Sequence, residues 1–500
     1  MNRWDRMRPY QRRRLQDRKL KEYLQHEVLP CHAFYRERAK ALGIHLADIT
    51  SVEKLQQCPE LITQKADIVG RDKEFVLAPT LSRMLRHDPA KVFGMFLRAT
   101  NVQRNFRRNH EAIGFRDALR RVVEMEYRDV RRTYTTGRSS ARTGFVFTNY
   151  DLDPENGFVS IAARRAFQLL GVPQGSYAMS VFPAALHLAH LFVVEGARGV
   201  PAPVDPLLGL STIQRVEAIE RLKPVALFGV PSYMVRLFEL AAGEKRDYSS
   251  LIRVVCGGEG ISEAQRTHMR ELLSAMGSPD PVIVSSYGFT EARMAFIECA
   301  EGARQGLNVG YHIYPDLVVI ETARIIEDTD GFIKTVLPCE PMEEGEILAT
   351  LLQGHGSAVL RWRTKDFARL TEQPCPACGR SLPRIIGPIR RHSKDMVKKV
   401  KSTLVDFDNV IRLFNDNACL RAWQIVLGYS HGQDCVTVFV SLSENINSVE
   451  VAARLRNAFK AETEISIDEI VTESYEQLIR RLGTDTELKE RRIVDLRTEA

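Results

Sequence analysis

Short apolar runs alternate along the chain with segments whose apolar positions recur every three or four residues. The first pattern reads as buried strand and the second as amphipathic helix. GFVFTN (144–149) is a run of the first kind. VALFGVPSYMVRLFELA (225–241) passes from a buried stretch, through a Gly-Val-Pro turn, into a helix. LIRVVCGGEGIS (251–262) predicts a strand ending in a glycine turn. Ser262 with Gln265 forms a capping box, and Met269, Leu272, Leu273 and Met276 mark the buried face of the helix that follows. VIVSSYGFTE (282–291) predicts a further strand and turn. Strands alternating with helices imply a largely parallel sheet, with ligands at the carboxyl ends of its strands.

The texture changes near residue 387. GPIRRHSKDMVKKVKS is basic and poor in large apolar residues, as an interdomain hinge would be. Beyond it AWQIVLGY (422–429) and CVTVFVSL (435–442) alternate as strands. Ser448 is the expected cap of a helix carrying Val451, Leu455 and Phe459 on one side, and ISIDEIV (465–471) follows as a strand. The expected class is α/β, with a large multi-sheet α/β domain over 1–393 and a small, mobile α+β domain over 394–500.

Composition supports this reading. Five hundred residues exceed one ordinary core, and 44% hydrophobic with 27% charged residues is the balance of a soluble globular chain. No run approaches the roughly 18–20 apolar residues of a membrane span. The basic N-terminal stretch MNRWDRMRPYQRRRLQDRKLKEYL has no apolar run after it, so a charged helix and a cytoplasmic location are expected rather than a secretory signal. Arg104, Arg107, Arg108, Arg116, Arg120 and Arg121 lack interleaved aromatics. They read as a solvated helix face and not as a nucleic-acid surface. Nine cysteines, an odd and sparse set, exclude a disulfide framework and leave clustered thiols free for metal.

Three segments carry candidate chemistry. TTGRSSARTG (135–144) combines glycines with hydroxyls and can form a backbone nest for an anion. GGE (257–259) would let a flat ring lie against the backbone at a strand end. SYGFTE (286–291) puts an aromatic ring, a hydroxyl and a carboxylate at another, where Glu291 could hold Mg²⁺ beside a phosphate. Cys375-Pro-Ala-Cys378 adds a CxxC knuckle.

In this order the segments resemble the adenylate-forming enzymes, a superfamily of acyl-CoA synthetases, adenylation domains and luciferases. The closest likeness is to the phenylacetate–CoA ligase-like branch. SYGFTE resembles that branch's YGLTE, GGEGISEAQR its GAEPLTEAMR, and EGEILATLLQGHGSAVLRWRTKDFARL (344–370) its EGELVFTTL…PLIRYRTRDLTRL. The resemblance implies that Thr136, Gly137, Arg138, Ser139 and Ser140 wrap the β- and γ-phosphates of ATP. It implies that Gly257, Gly258 and Glu259 line the adenine, that Tyr287 stacks near the adenine or the substrate, and that Gly288 belongs to the ATP site. Thr290 would contact phosphate, Glu291 would bind Mg²⁺, and Asp366 would accept both ribose hydroxyls. Lys394 falls on the family's hinge position. LKERRIVDLR (488–497) resembles the C-terminal GKAxRVIDxR, which makes Lys489 the catalytic lysine. Phe182, His187 and Tyr233 would edge the acid pocket. Cys299, His312, Cys375 and Cys378 match a structural zinc site of the branch, three thiolates and an imidazole.

The implied activity is ATP-dependent activation of a small acid, expected to be aromatic, as an acyl-AMP with release of pyrophosphate. CoA, an amine or a carrier protein would take the acyl group, and the enzyme would be a monomer or homodimer. Two departures bear on this. The phosphate loop has Arg138 and Arg142 but no lysine, and the two cations are not equivalent. Val400 stands where the family has a glycine beside the CoA passage, which disfavours CoA. The branch also contains ATP-dependent diazotases that activate nitrite for attack by an aryl amine. A degenerate nucleotide-binding homologue without turnover is the reading from a different class.

Overall fold

The computed structural model describes residues 3–135, 143–183, 187–199, 204–205, 210–328, 333–391, 397–401, 403–430, 433–443, 446–487 and 489–498. Its contacts divide the chain into two compact units. The first comprises Met1–Ala178, Leu186–Val204 and Ser286–Pro388, and the second Met179–Ala185, Asp205–Ser285 and Ile389–Ala500. Among the described residues no helix is long and apolar enough to cross a membrane.

The first unit is built on antiparallel pairing, not on the parallel sheet that alternation of strands and helices predicts. Ser286–Phe289 turns back on Met294–Glu298, which pairs with Tyr311–His312. Val318–Glu327 lies between Ile333–Pro338 and Glu344–Leu351, and the latter pairs with Trp362–Thr371. The physical reason is loop length. Only Thr290–Arg293 separates the first two strands, far less than the dozen or so residues a parallel crossover needs. Helix Phe158–Leu170 buries Phe158, Val159, Ala163 and Phe167 and packs against helix Leu188–Gly199 and strand Met294–Glu298. It ends at Gly171, whose φ of 66° is a left-handed cap. The arginine-rich helices Pro89–Arg108 and Phe115–Tyr127 pack on each other and leave Arg104, Arg107, Arg108, Arg116, Arg120 and Arg121 exposed, as a solvated face requires. Asp129–Tyr134 and Gly144–Thr148 pair antiparallel and flank the glycine–serine loop.

Parallel pairing is found in the second unit, where Ala226–Gly229, Arg253–Cys256 and the first half of Val282–Phe289 lie side by side. Ser262 and Gln265 close their capping box in both directions, at 3.1 and 3.0 Å. Farther along, Leu420–Ser430 and Gln433–Leu442 form an antiparallel hairpin with Glu469–Thr472 and Ile493–Asp495 parallel on its two edges. Its core gathers Val400, Phe407, Phe414, Trp423, Val438 and Phe459. Three details differ from expectation. Asn447, not Ser448, caps helix Ser448–Thr463, because its side chain reaches the amides of Val449 and Glu450. The strand expected over 465–471 is only Glu469–Thr472; Ile465 and Ile467 enter the core ahead of it. Val400 is fully buried in that core. Its branched side chain packs with Val405, Phe407 and Trp423 in that cluster.

Candidate functional site

In the first unit, two segments far apart in sequence meet at one point. Tyr287 donates its hydroxyl to Asp366 Oδ2 at 2.9 Å. Its ring packs among Phe289, Phe296 and Tyr311. Gly288 is required here, because a Cβ would come within 2.9 Å of both Ala295 Cβ and the Met294 carbonyl. Asp366 sits where the strand Trp362–Thr371 breaks register with its neighbour between Glu346 and Leu348. A bulge of this kind re-aims a side chain. Lys365 takes a left-handed φ of 59° there, and its amide donates to Glu346 Oε1 at 3.1 Å. Arg363 holds the same carboxylate through Nε at 2.9 Å and a terminal nitrogen at 2.9 Å. The Asp366 amide donates to Thr364 Oγ1 at 3.1 Å, which fixes the bulge locally.

Thr290 and Glu291 occupy the turn after Tyr287 and Gly288, Thr290 half-buried and Glu291 buried. That turn is anchored by a residue the sequence did not flag. Arg293 is fully buried, has a φ of 55°, and pairs with the equally buried Asp151 at 2.7 Å. It also donates to the Val146 carbonyl at 3.0 Å, and its guanidinium lies 4.6 Å from the Phe158 ring centre. Asp151 further accepts from the amides of Thr148, His355 and Gly356 at 3.0, 2.8 and 2.9 Å. One carboxylate therefore ties together the hairpin, the Thr290–Glu291 turn and the loop that leads toward Asp366. Arginine two positions after Glu291, at the start of an apolar strand, was the only sequence signal.

A second cluster lies in the same unit. Cys299, His312, Cys375 and Cys378 place their four ligand atoms within 4.8 Å of one another. Cys375 and Cys299 sulfurs are 3.7 Å apart, and Cys378 Sγ is 3.5 Å from His312 Nε2. The CxxC turn is closed by the Cys375 amide on the Arg380 carbonyl and the Gly379 amide on the Cys375 carbonyl, both at 2.8 Å. The Gly302 amide points at Cys299 Sγ from 3.4 Å.

The second unit holds the remaining described candidates. The Gly257 amide donates to the Gly229 carbonyl at 3.0 Å, and Gly258 has a φ of 84° that a side chain would resist. The Glu259 carboxylate accepts from Ser232 Oγ at 2.9 Å and from the Glu490 amide at 2.8 Å. Burial raises its pKa to about 7, helped by the nearby Glu490 charge. Lys489 is exposed and immediately precedes Glu490. Arg492 pairs with Glu490, and its guanidinium lies 4.9 Å from the Trp423 ring centre. Asp495 pairs with Lys398 at 3.0 Å and with Arg497 at 2.9 Å.

The acid-pocket candidates divide between the units. His187 belongs to the first and is half-buried, whereas Phe182 and Tyr233 belong to the second and are buried. The Tyr233 hydroxyl accepts from Arg215 at 2.9 Å. Thr136, Gly137, Arg138, Ser139, Ser140 and Lys394 lie outside the described residues.

Residues 172–349 match the family described as AMP-binding enzyme. The chain is 25% identical over 264 residues to the phenylacetate–coenzyme A ligase of Aromatoleum evansii, covering 52% of this chain and 54% of the relative. It is 26% identical over 272 residues to the phenylacetate–coenzyme A ligase of Escherichia coli (strain K12), covering 53% and 55%. The matches thus span about half the length of these curated relatives. The fold is that of a 2-hydroxyisobutyryl-CoA ligase solved in the postadenylation state in complex with R3-HIB-AMP, with a TM-score of 0.71 at 16% identity over 99% of this chain and 92% of that one. Motifs, relatives and fold thus point the same way: part of the chain matches the AMP-binding enzyme family, and the chain is similar in sequence to phenylacetate–coenzyme A ligases and in fold to an acyl-CoA ligase.

Proposed function

We propose that this protein is an ATP-dependent ligase that activates a small carboxylic acid, aromatic in character, as an acyl-adenylate and passes the acyl group to CoA. In the first step a carboxylate oxygen bonds to the α-phosphorus and the bond to pyrophosphate breaks. In the second the acceptor's sulfur attacks the acyl carbon and AMP leaves with the bonding pair. The observation that carries this reading is the Tyr287–Asp366 contact, 2.9 Å long. It joins the strand-end aromatic and the bulge-borne aspartate into one acceptor site suited to a ribose.

Two anions meet in the first step, so the site must supply positive charge at the phosphate oxygens. Lys489 offers its ammonium to the α-phosphate and the bridging oxygen. Thr290 hydrogen-bonds phosphate, and Glu291 with nearby oxygen donors would hold Mg²⁺, which when bound neutralises charge on the phosphates. Glu291 suits a hard cation, since it is a buried carboxylate on a turn fixed by the Arg293–Asp151 pair. Arg138 and Arg142 replace the family's loop lysine as partners for the leaving pyrophosphate. Phe182, His187 and Tyr233 border the acid. Residues 394–500 act as the lid that carries Lys489, hinged near Lys394.

CoA is favoured as acceptor because the named relatives are CoA ligases. An amine or a carrier-protein thiol is the alternative acceptor. The Cys299, His312, Cys375 and Cys378 set suits a structural zinc: three thiols and an imidazole bring their ligand atoms within 4.8 Å of one another, and four such protein ligands are the usual complement of a structural site. When bound, the ion crosslinks three strand ends and takes no part in the reaction.

The test is pyrophosphate release from ATP against a panel of aryl and alkyl carboxylic acids, with nitrite included. Acid-dependent release that falls on the order of 10²–10³-fold in Lys489→Ala supports the ligase. Release with nitrite alone identifies a diazotase. No release with any member, despite ATP binding, would leave only the degenerate nucleotide-binding reading.

A further inference from the structure

Helix Pro231–Gly243 carries Ser232, Arg236 and Glu239 at intervals of four and three, which places them on one face. Each has a charged or polar partner within the second unit. Ser232 holds Glu259, and Glu239 pairs with Arg421 at 2.9 Å and His268 at 3.1 Å. Arg236 pairs with Glu476 at 3.0 Å and Asp485 at 3.3 Å. Thr212 adds its hydroxyl to Asp485 at 3.3 Å. The Arg236 side chain is only 10% exposed, whereas those of Glu476 and Asp485 are 55% and 36% exposed.

These partners bracket one loop. The Arg491 amide bonds the Leu482 carbonyl at 3.0 Å and closes the loop 483–490. Gly483 starts it with a φ of 74°, and the Glu487 amide returns to the Gly483 carbonyl at 2.7 Å. Inside the loop, Asp485 is held by Arg236 and Thr212, and the Glu490 amide is held by Glu259 at 2.8 Å. Lys489 lies between those two anchors. A lysine side chain is flexible, so the reach of its ammonium is set by where its backbone is pinned.

We propose that Glu259 and Arg236 are positioning residues for Lys489: Glu259 pins the amide that follows the lysine, and Arg236 clamps the turn that precedes it. This rests on the reading of Lys489 as the catalytic lysine. The GGE segment then has a second task beside lining a ring. Its backbone glycines approach the nucleotide, and its carboxylate registers the lysine loop against the same strand end. Misplacing a reacting group by about 1 Å costs on the order of 10²-fold in rate.

The full-length protein carrying Glu259→Ala, Glu259→Gln, Arg236→Gln, Asp485→Asn or Lys489→Ala tests this with two readouts. The first is hydrogen exchange of the peptide spanning 489–492. The second is the kcat and KM of pyrophosphate release with an accepted acid. Glu259→Ala should speed exchange in that peptide and lower kcat by on the order of 10²-fold. Glu259→Gln keeps an oxygen that accepts from the Glu490 amide, so it should restore protection and most of the rate. Arg236→Gln and the largely surface change Asp485→Asn should lower kcat by smaller factors. Unchanged exchange at 489–492 in Glu259→Ala overturns the proposal. So does faster exchange with unaltered kcat, or a glutamine variant as slow as the alanine one. If Glu259→Ala does not fold, Asp485→Asn decides by the same criteria. Pyrophosphate release unaffected by Lys489→Ala would instead refute the catalytic role of the lysine, and exchange would still report whether the loop is pinned.

Discussion

Tyr287→Phe isolates the contact on which the nucleotide reading turns. The substitution removes one hydroxyl and keeps the ring, so the packing with Phe289, Phe296 and Tyr311 survives. What is lost is a 2.9 Å hydrogen bond to a carboxylate. Hydrogen bonds to charged groups contribute roughly 1.5–3 kcal/mol. Tyr287 and Asp366 are both only half-buried, which argues for the lower end of that range. About 1.5 kcal/mol corresponds to roughly tenfold in affinity. If Asp366 accepts the ribose hydroxyls, the loss of its positioning should appear in ATP binding and not in chemistry. KM for ATP, or Kd by titration calorimetry, should rise about tenfold while kcat stays within about twofold. Asp366→Ala should raise KM further, because it deletes the acceptor itself. A Tyr287→Phe enzyme whose KM for ATP lies within twofold of the parent would refute the reasoning, as would one whose loss falls on kcat alone.

Three more expectations test the surrounding structure. Asp151→Ala leaves the fully buried Arg293 without its counter-charge, a loss of about 3–5 kcal/mol that urea unfolding should register; a change under 1 kcal/mol would show the pair to be expendable. Glu259 faces Glu490, Arg492 and Ser232, and its pKa is raised to about 7 in the folded chain from an ordinary 4.5. The folded state therefore keeps a proton that the unfolded state releases, and this contribution to stability falls as pH rises from 4.5 to about 7, then levels off. The drop is about 3 kcal/mol, so Glu259→Gln should gain on the parent across that window in urea midpoints, and an unchanged difference would sink the assignment. Cys378→Ser should release zinc detectable by a colorimetric chelator and lower the unfolding temperature, whereas a parent protein purified without bound zinc, and unable to take it up, would refute the metal reading.

Local pattern made much of this molecule legible. The capping box at Ser262, the strand-to-helix passage over 225–241 and the hairpin over 420–442 all follow from residue types a few positions apart. Strand direction followed where helices connect the strands, as over 226–285, but not after Phe289, where Thr290–Arg293 is too short for anything but a reversal. The candidate site divides in the same way. Segments whose chemistry is written in consecutive residues, such as SYGFTE, could be read directly. The carboxylate of Glu259 could not be linked to the lysine loop, since its partner amide is 231 positions away. Val400 shows a further limit: its neighbours in sequence gave no sign that its side chain joins the core of Phe407, Phe414 and Trp423.

The candidate turns share a construction that helps explain why they hold their shape. Thr290 and Glu291 hang on Arg293, which is neutralised by Asp151. Asp366 sits on a bulge secured by Glu346, which Arg363 neutralises in turn. Lys489 stands beside an amide bound by the buried Glu259. In each case a neighbouring residue fixes the backbone beside the candidate side chain: Arg293 with Asp151, Glu346 with Arg363, and Glu259 through the Glu490 amide. The first two anchors are opposite-charge pairs, and such buried charge is costly if its partner is lost, so alternative backbone paths that separate either pair are strongly disfavoured. An apolar anchor of equal volume could stabilise as well, but it would not fix the direction of a backbone amide or carbonyl, because hydrophobic burial is non-directional. The candidate side chains lie on three separate segments, and two of these are restrained by the buried Asp151–Arg293 and Glu346–Arg363 pairs, which no hydrophobic pattern would have signalled.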